Sequence, residues 1–275
     1  MIVVGVKYIA SVSFGKDSLA MLLKLIEENK PIDKVVFYDT GMEFQSIYNL
    51  RDKLQPIIDS YGAEYIELKP NEPFLYSMLE RKIKYRNKTG FHFGFGWCGG
   101  VCRWHTSMKI QAIQNYKKSL NDDYIDYVGI AYDEPHRFDK AKSEGKQLPL
   151  VDWKMTEADC LAYCRSKGYN WIEHTSNCDI DLYDILDRVS CWCCRNKNLD
   201  ELRNIYKYLP EYWEKLKIIQ SKIAEPMKGK NKSVFDLEKR FEFEDKWLKN
   251  GNKLRTRDFY NSLREIYKYK NGAIK

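Results

Sequence analysis

Three short apolar runs, Tyr8–Val12, Val35–Tyr38 and Ala63–Leu68, alternate with segments of helical periodicity, and this alternation constrains the fold more than any other feature. Between the first two lies Ser18–Glu28, whose Leu19, Leu22, Leu23 and Ile26 mark one helix face and which Asn29-Lys30-Pro31 stops. The spacing predicts a second helix over Phe44–Tyr61, ended by Gly62, a third over Phe74–Arg86, and a fourth strand over Asp126–Ala131. Strand and helix in strict alternation imply right-handed crossovers. The expected fold is therefore α/β, a doubly wound and mainly parallel sheet that binds ligands beyond the carboxyl ends of its strands.

The first strand runs into Ser11-Val12-Ser13-Phe14-Gly15-Lys16-Asp17-Ser18. Its small residues let backbone N–H groups approach an anion, the following helix points its positive end at the turn, and Lys16 adds a full charge. These features predict a phosphate-binding turn, although the spacing is not that of a P-loop. Asp39-Thr40-Gly41 closes the second strand and falls at the same edge of the sheet.

Composition narrows the class. A chain of 275 residues with 44% hydrophobic content can bury a large core, and no run approaches the ~20 apolar residues of a membrane span. The N-terminal residues lack the features of a secretory signal, so a cytoplasmic protein is expected. Residues 195–275 carry 21 Lys and Arg against 12 Asp and Glu, a charge of +9, so the rest of the chain is −2 and the net +7 comes from the tail. A basic tail raises nucleic acid as a partner, with a solvated helical face as the plainer account. Domains are expected at 1–194 and 195–275, the second a basic helical extension with helices over Leu199–Tyr208, Glu211–Ile223, Val234–Asn250 and Thr256–Tyr269.

Eight cysteines without a secretory signal point to metal, catalysis or burial before disulfides. Cys98 and Cys102 form one close pair, and Cys191 and Cys194 another. Four thiolates suit a [4Fe–4S] cluster or a tetrahedral Zn²⁺ site, the alternative being buried thiols. Cys193 or His105 could replace one of the four, since His105 and Cys102 are three apart and share a face if Cys102–Ile113 is helical. Cys160 and Cys164, interleaved with Leu161 and Tyr163, read as core, and burial is expected for Cys178.

Ser13-Phe14-Gly15-Lys16-Asp17-Ser18 resembles the S-G-G-x-D-S signature of the PP-loop adenine-nucleotide alpha-hydrolase superfamily, with Phe14 at the first glycine. Asp39-Thr40-Gly41-x-Glu43-Phe44 is similar to a segment of its phosphoadenosine phosphosulfate (PAPS) reductase-like branch, which includes DNA phosphorothioation-type sulfurtransferases. So are Arg103-Trp104-x-Thr106-x-x-Lys109-Ile110, where His105 replaces a cysteine, and Gly129–Arg137, where Ala131 replaces an arginine. Leu148–Trp153 with a helix starting at Thr156, capped by Asp159, continues the likeness, and Leu182-Tyr183 through Cys194 completes it. The resemblance covers residues 9–194.

That resemblance implies a Rossmann-like nucleotide domain and an enzyme that cleaves ATP, with Mg²⁺, between its alpha and beta phosphates. Ser11, Ser13, Phe14, Gly15, Asp17 and Ser18 would hold the phosphates, and Lys16 would offset charge on the leaving pyrophosphate. Asp39, Thr40 and Gly41 would border the nucleoside, with Gly129 and Arg137 completing the nucleotide site. Lys16, Asp17, Arg103 and Lys109 are the catalytic candidates. The expected activity is an adenylating, iron–sulfur-dependent sulfurtransferase with a nucleic-acid acceptor and a sulfur-donor protein. Two alternatives stand beside it. One is a PAPS or adenylylsulfate reductase, whose nucleophilic cysteine belongs near the C-terminus, where the last 81 residues here have none. The other is a non-catalytic nucleotide- or nucleic-acid-binding protein with structural zinc.

Overall fold

A computed structural model describes residues 5–102, 106–120 and 122–271, with side chains as far as residue 265. The chain order is β1 (Lys7–Ser11), α1 (Lys16–Glu27), β2 (Lys34–Tyr38), α2 (Gln45–Tyr61), β3 (Glu64–Leu68), α3 (Phe74–Leu79), β4 (Lys82–Lys84) and β5 (Phe91–Phe93). It continues with α4 (Met108–Ser119), β6 (Tyr124–Val128), α5 (Phe138–Ser143), β7 (Lys146–Gln147), α6 (Pro149–Asp152), α7 (Glu157–Ser166), β8 (Ile172–His174), β9 (Asp179–Asp181) and α8 (Leu182–Ile185). Four helices follow: α9 (Leu199–Tyr208), α10 (Pro210–Lys222), α11 (Val234–Lys249) and α12 (Arg257–Asn271).

Five strands form one sheet in the order β3-β2-β1-β6-β7, and every neighbouring pair is parallel. The chain moves outward from β1 through β2 to β3, then returns to lay β6 against the other side of β1. This reversal is the topological switch point, and its crevice opens at the carboxyl ends of β1 and β6. The central strands are buried on both faces, as Ile9, Ala10, Val35, Val36 and Phe37 show, which is why they read as continuous apolar runs. Helix α1 buries Leu19, Met21, Leu22 and Leu25, and α7 buries Cys160 and Cys164 as expected. The capping box of α7 also forms, with Thr156 accepting from the Asp159 amide.

Helix α3 stops at Leu79, short of the expected Arg86, because Lys82-Ile83-Lys84 and Phe91-His92-Phe93 alternate with period two and pair as an antiparallel hairpin. Strand β6 ends at Val128 rather than Ala131; Gly129 leaves the ladder to lie against α1. Helix α4 starts at Met108, after a wider turn at Thr106 and Ser107, so Cys102 lies outside it; Arg103, Trp104 and His105 are outside the described residues. Cys178 is exposed, contrary to the expected burial: it sits in the β8–β9 turn, where its amide donates to Thr175 Oγ1 at 3.1 Å.

By packing, one compact unit comprises residues 1–74, 100–174 and 179–192, and the other residues 75–99, 175–178 and 193–275. The first holds the five-stranded sheet. The second joins the β4–β5 hairpin to the C-terminal helices, whose core includes Leu202, Ile205, Trp213, Leu237, Phe241 and Phe259. Gln220 ties it internally, donating to the Ile223 and Glu225 carbonyls and accepting from the Met227 and Val234 amides. No helix among the described residues is long and apolar enough to cross a membrane.

Candidate nucleotide site

The turn after β1 is held by short-range hydrogen bonds that only small residues permit. Ser18 Oγ accepts from the Ser13 amide at 3.1 Å, lies 3.0 Å from Ser13 Oγ, and donates to the Gly15 carbonyl at 3.1 Å. Phe14 has φ of +57°, a conformation that suits glycine and costs a bulky L-residue about 1–2 kcal/mol. The structure offsets this through the side chain. The ring is fully buried, edge-on to Phe37 at 5.2 Å, and burying a phenyl group contributes about 1.5–3 kcal/mol. Trp171 Nε1 also donates to the Phe14 carbonyl at 2.8 Å, so Phe14 faces the core and presents only backbone to the crevice.

Lys16 begins α1 and is 7% exposed. Its Nζ lies 2.9 Å from Asp17 Oδ1 and 2.5 Å from Glu157 Oε2, and 5.9 Å from the Tyr183 ring centroid. Burial works against its charge, but Asp17 and Glu157 outweigh it and raise the pKa. Burial dominates at Asp17, whose carboxyl is pushed up in spite of Lys16. The Lys16 amide donates to Tyr183 Oη at 2.9 Å, satisfying one of the orphan donors of α1. Glu157 is held in turn by Asp133, which accepts its amide at 3.0 Å.

Gly129 packs against the start of this helix. A Cβ there would lie 2.9 Å from Ser18 Cα and 3.0 Å from Ser18 N, both backbone atoms that cannot swing aside. Ser11 donates through Oγ to Asp126 Oδ1 at 3.2 Å, and Asp126 pairs with buried Lys117 at 2.5 Å. Arg137 pairs with Glu134 at 2.6 Å and keeps 42% of its side chain exposed.

The loop after β2 is built by its own side chains. Asp39 Oδ1 accepts from the Gly41 amide at 2.7 Å and from Tyr48 Oη at 2.8 Å, while Gly41 takes φ of +75°. Thr40 Oγ1 donates to Glu43 Oε1 at 2.8 Å and lies 3.6 Å from Cys191 Sγ. Burial pushes the Glu43 carboxyl up and the Lys109 amine down, although each charge favours the other. The folded state therefore retains the Glu43 proton above the ordinary range of about 4.3, and ionising it costs stability as pH rises. Glu43→Gln is expected to gain in melting temperature relative to wild type between about pH 4 and pH 7, followed by differential scanning fluorimetry. An equal offset at both ends would show that folding does not shift the Glu43 carboxyl.

The four cysteines proposed as ligands divide between the units, Cys102 and Cys191 in one and Cys98 and Cys194 in the other. None of the eight is in a disulfide. Among the described residues no three His, Cys, Asp or Glu side chains are grouped so as to hold a metal ion. Cys191 Sγ lies 3.6 Å from Thr40 Oγ1 and 3.9 Å from Glu43 Oε1.

Residues 7–170, more than half of the chain, match the phosphoadenosine phosphosulfate reductase domain family. The chain belongs to that family. Its phosphate turn, the loop after β2, Gly129 and Lys109 all fall within the matched span. The chain is also similar to uncharacterized protein MJ0066 of Methanocaldococcus jannaschii, 26% identical over 225 residues. That match covers 78% of this chain and 41% of the relative, so this chain spans about two-fifths of the relative's length. Membership places the chain in the PP-loop superfamily.

Residue reasoning missed Glu157 and Tyr183 as neighbours of Lys16. Glu157 was not singled out at all, and Tyr183 read only as part of a family segment. Both lie more than 140 positions from Lys16, and no local spacing encodes such a pairing.

Proposed function

We propose that this chain is an ATP-dependent adenylating enzyme of the sulfurtransferase type, acting on a nucleic-acid acceptor. The observation that supports it is Lys16, an ammonium at the N-terminus of α1 and at the switch point of the sheet, held between Asp17 and Glu157. Such a cation is placed for charge that develops on a triphosphate as it breaks.

In this reading the Ser13–Ser18 turn and the first amides of α1 cradle the phosphates, Asp39-Thr40-Gly41 borders the nucleoside, and Gly129 gives the chain room to close on the turn. Arg137, Arg103 and Lys109 supply further positive charge, and Mg²⁺ enters as counterion of the triphosphate. An acceptor oxygen forms a bond to the alpha phosphorus. The bond to the bridging oxygen breaks, and pyrophosphate departs with that electron pair beside Lys16. The acceptor now carries AMP as a leaving group, and sulfide supplied by a donor protein displaces it: the carbon–sulfur bond forms as the carbon–oxygen bond breaks, and AMP departs with that electron pair. A cytoplasmic location accords with this chemistry. The two cysteine pairs are the sequence support for iron–sulfur dependence.

Incubation of anaerobically purified protein with ATP, Mg²⁺ and nucleic acid is expected to yield AMP and pyrophosphate by ion-exchange chromatography. The same preparation is expected to contain iron and sulfide. ADP as product, or no turnover with RNA or DNA of any form, would sink the adenylation reading. Stoichiometric zinc in a colourless protein would remove the cluster. Release of sulfite from PAPS with thioredoxin would make the chain a reductase.

A further inference from the structure

The β4–β5 hairpin carries a surface that the nucleotide chemistry does not use. From Arg81 to Phe93 the sequence reads Arg-Lys-Ile-Lys-Tyr-Arg-Asn-Lys-Thr-Gly-Phe-His-Phe, with five Lys or Arg and no Asp or Glu. The antiparallel register sets Lys82 opposite Phe93 and Lys84 opposite Phe91. Because side chains alternate across a strand, these four share one face, and Ile83 and His92 share the other. The exposures agree: Phe91 is 53% and Phe93 70% exposed and both lysines are exposed, whereas Ile83 and His92 are partly covered.

The outward face thus pairs apolar rings with cations, the reverse of what solvent alone favours. Lys82 Nζ lies 4.3 Å from the Phe91 ring centroid, and on the loop Lys88 Nζ lies 4.1 Å from that of Tyr85. Within its own unit the hairpin is anchored. The Gly94 amide donates to the Arg81 carbonyl at 2.8 Å, and the Phe95 and Gly96 amides donate to the carbonyls of Ser77 and Met78 on α3. Gly94 has φ of +65°, and a Cβ on it would meet the Met78 carbonyl oxygen at 2.2 Å, so the hairpin lies directly on the backbone of α3.

We infer that this face binds single-stranded nucleic acid, its phosphates on Lys82 and Lys84 and its bases on Phe91 and Phe93. Charge complementarity selects a polyanion, and exposed rings select one with accessible π-faces. Phe91 and Phe93 are two residues apart on one strand, about 6.8 Å. That is about twice the 3.4 Å step of a stacked strand, so the bases must be separated and duplex is disfavoured. The inference deepens the nucleic-acid part of the proposed function, but binding requires no ATP turnover.

The test is fluorescence anisotropy with labelled 16-nucleotide single-stranded RNA and DNA and the matching duplex, without ATP, using the full chain. Wild type is expected to bind a single strand at least tenfold more tightly than duplex, and the RNA and DNA arms identify which. Phe91→Ala with Phe93→Ala is expected to weaken binding at least tenfold with an unchanged melting temperature, and Phe91→Trp with Phe93→Trp to restore it. Lys82→Gln with Lys84→Gln is expected to flatten the log–log salt dependence by about 1.4, at about 0.7 per phosphate on a single strand. Equal binding by wild type and the phenylalanine-to-alanine pair would overturn the inference. So would preference for duplex, or capture by anionic lipid vesicles without oligonucleotide binding. Asp17→Ala is expected to bind as wild type does, which separates failure of this surface from failure of the adenylation reading.

Discussion

Lys16→Met is expected to lower ATP turnover to AMP and pyrophosphate by about 10²–10³, the usual cost of removing one preorganised electrostatic contact from a developing charge. Methionine keeps most of the aliphatic stem, so the change isolates the ammonium. Its loss leaves Asp17 and Glu157 side by side without their cation. Burial already raises the Asp17 carboxyl, and without Lys16 it rises further. The measurement is single-turnover formation of pyrophosphate, with ATP binding followed separately by calorimetry. The full loss is expected in the rate at saturating ATP. Unchanged turnover would remove Lys16 from the chemistry, and a loss confined to binding would make it a ground-state contact.

Gly129→Ala is the second large effect, acting through backbone geometry. Its Cβ would meet Ser18 Cα at 2.9 Å and Asp17 C at 3.1 Å, so either β6 or the first turn of α1 must move. Overpacking of this kind costs about 1–3 kcal/mol. At about 2–4 °C per kcal/mol, the melting temperature should fall by several degrees. Activity should fall more than stability suggests, because the displaced atoms belong to the phosphate turn and a shift of about 1 Å can cost 10²-fold in rate. Gly5→Ala, which meets nothing within 4 Å, is the control and is expected to match wild type in both measurements. Wild-type turnover in Gly129→Ala would show that the turn tolerates displacement.

Much of the fold was legible locally. Apolar runs of strand length, and Thr156 with Asp159 three positions later, encode contacts within a few residues, and each formed. The helix after the first strand also formed, but its buried face is Leu19, Met21, Leu22 and Leu25, with Leu23 and Ile26 only partly covered. The period-two pattern around Ile83 was equally local, yet it fell inside an expected helix because a three-residue strand gives periodicity little to act on. Cys178 failed as a core residue for a related reason: its turn follows from Thr175 beside it, not from its own apolar character.

By itself the sequence determined a parallel sheet with a small-residue turn after its first strand, because strand–helix alternation and short turns are properties of neighbouring residues. Tertiary structure alone decided why phenylalanine is tolerated at position 14. Phe37 and Trp171 hold it, and Trp171 lies 157 positions away. It alone also decided that Glu157 and Tyr183 enclose Lys16, and that two lysines and two phenylalanines share one open face. Ion pairs and packed rings depend on which distant segments the topology brings within 3–6 Å, and a one-dimensional pattern carries no record of that closure.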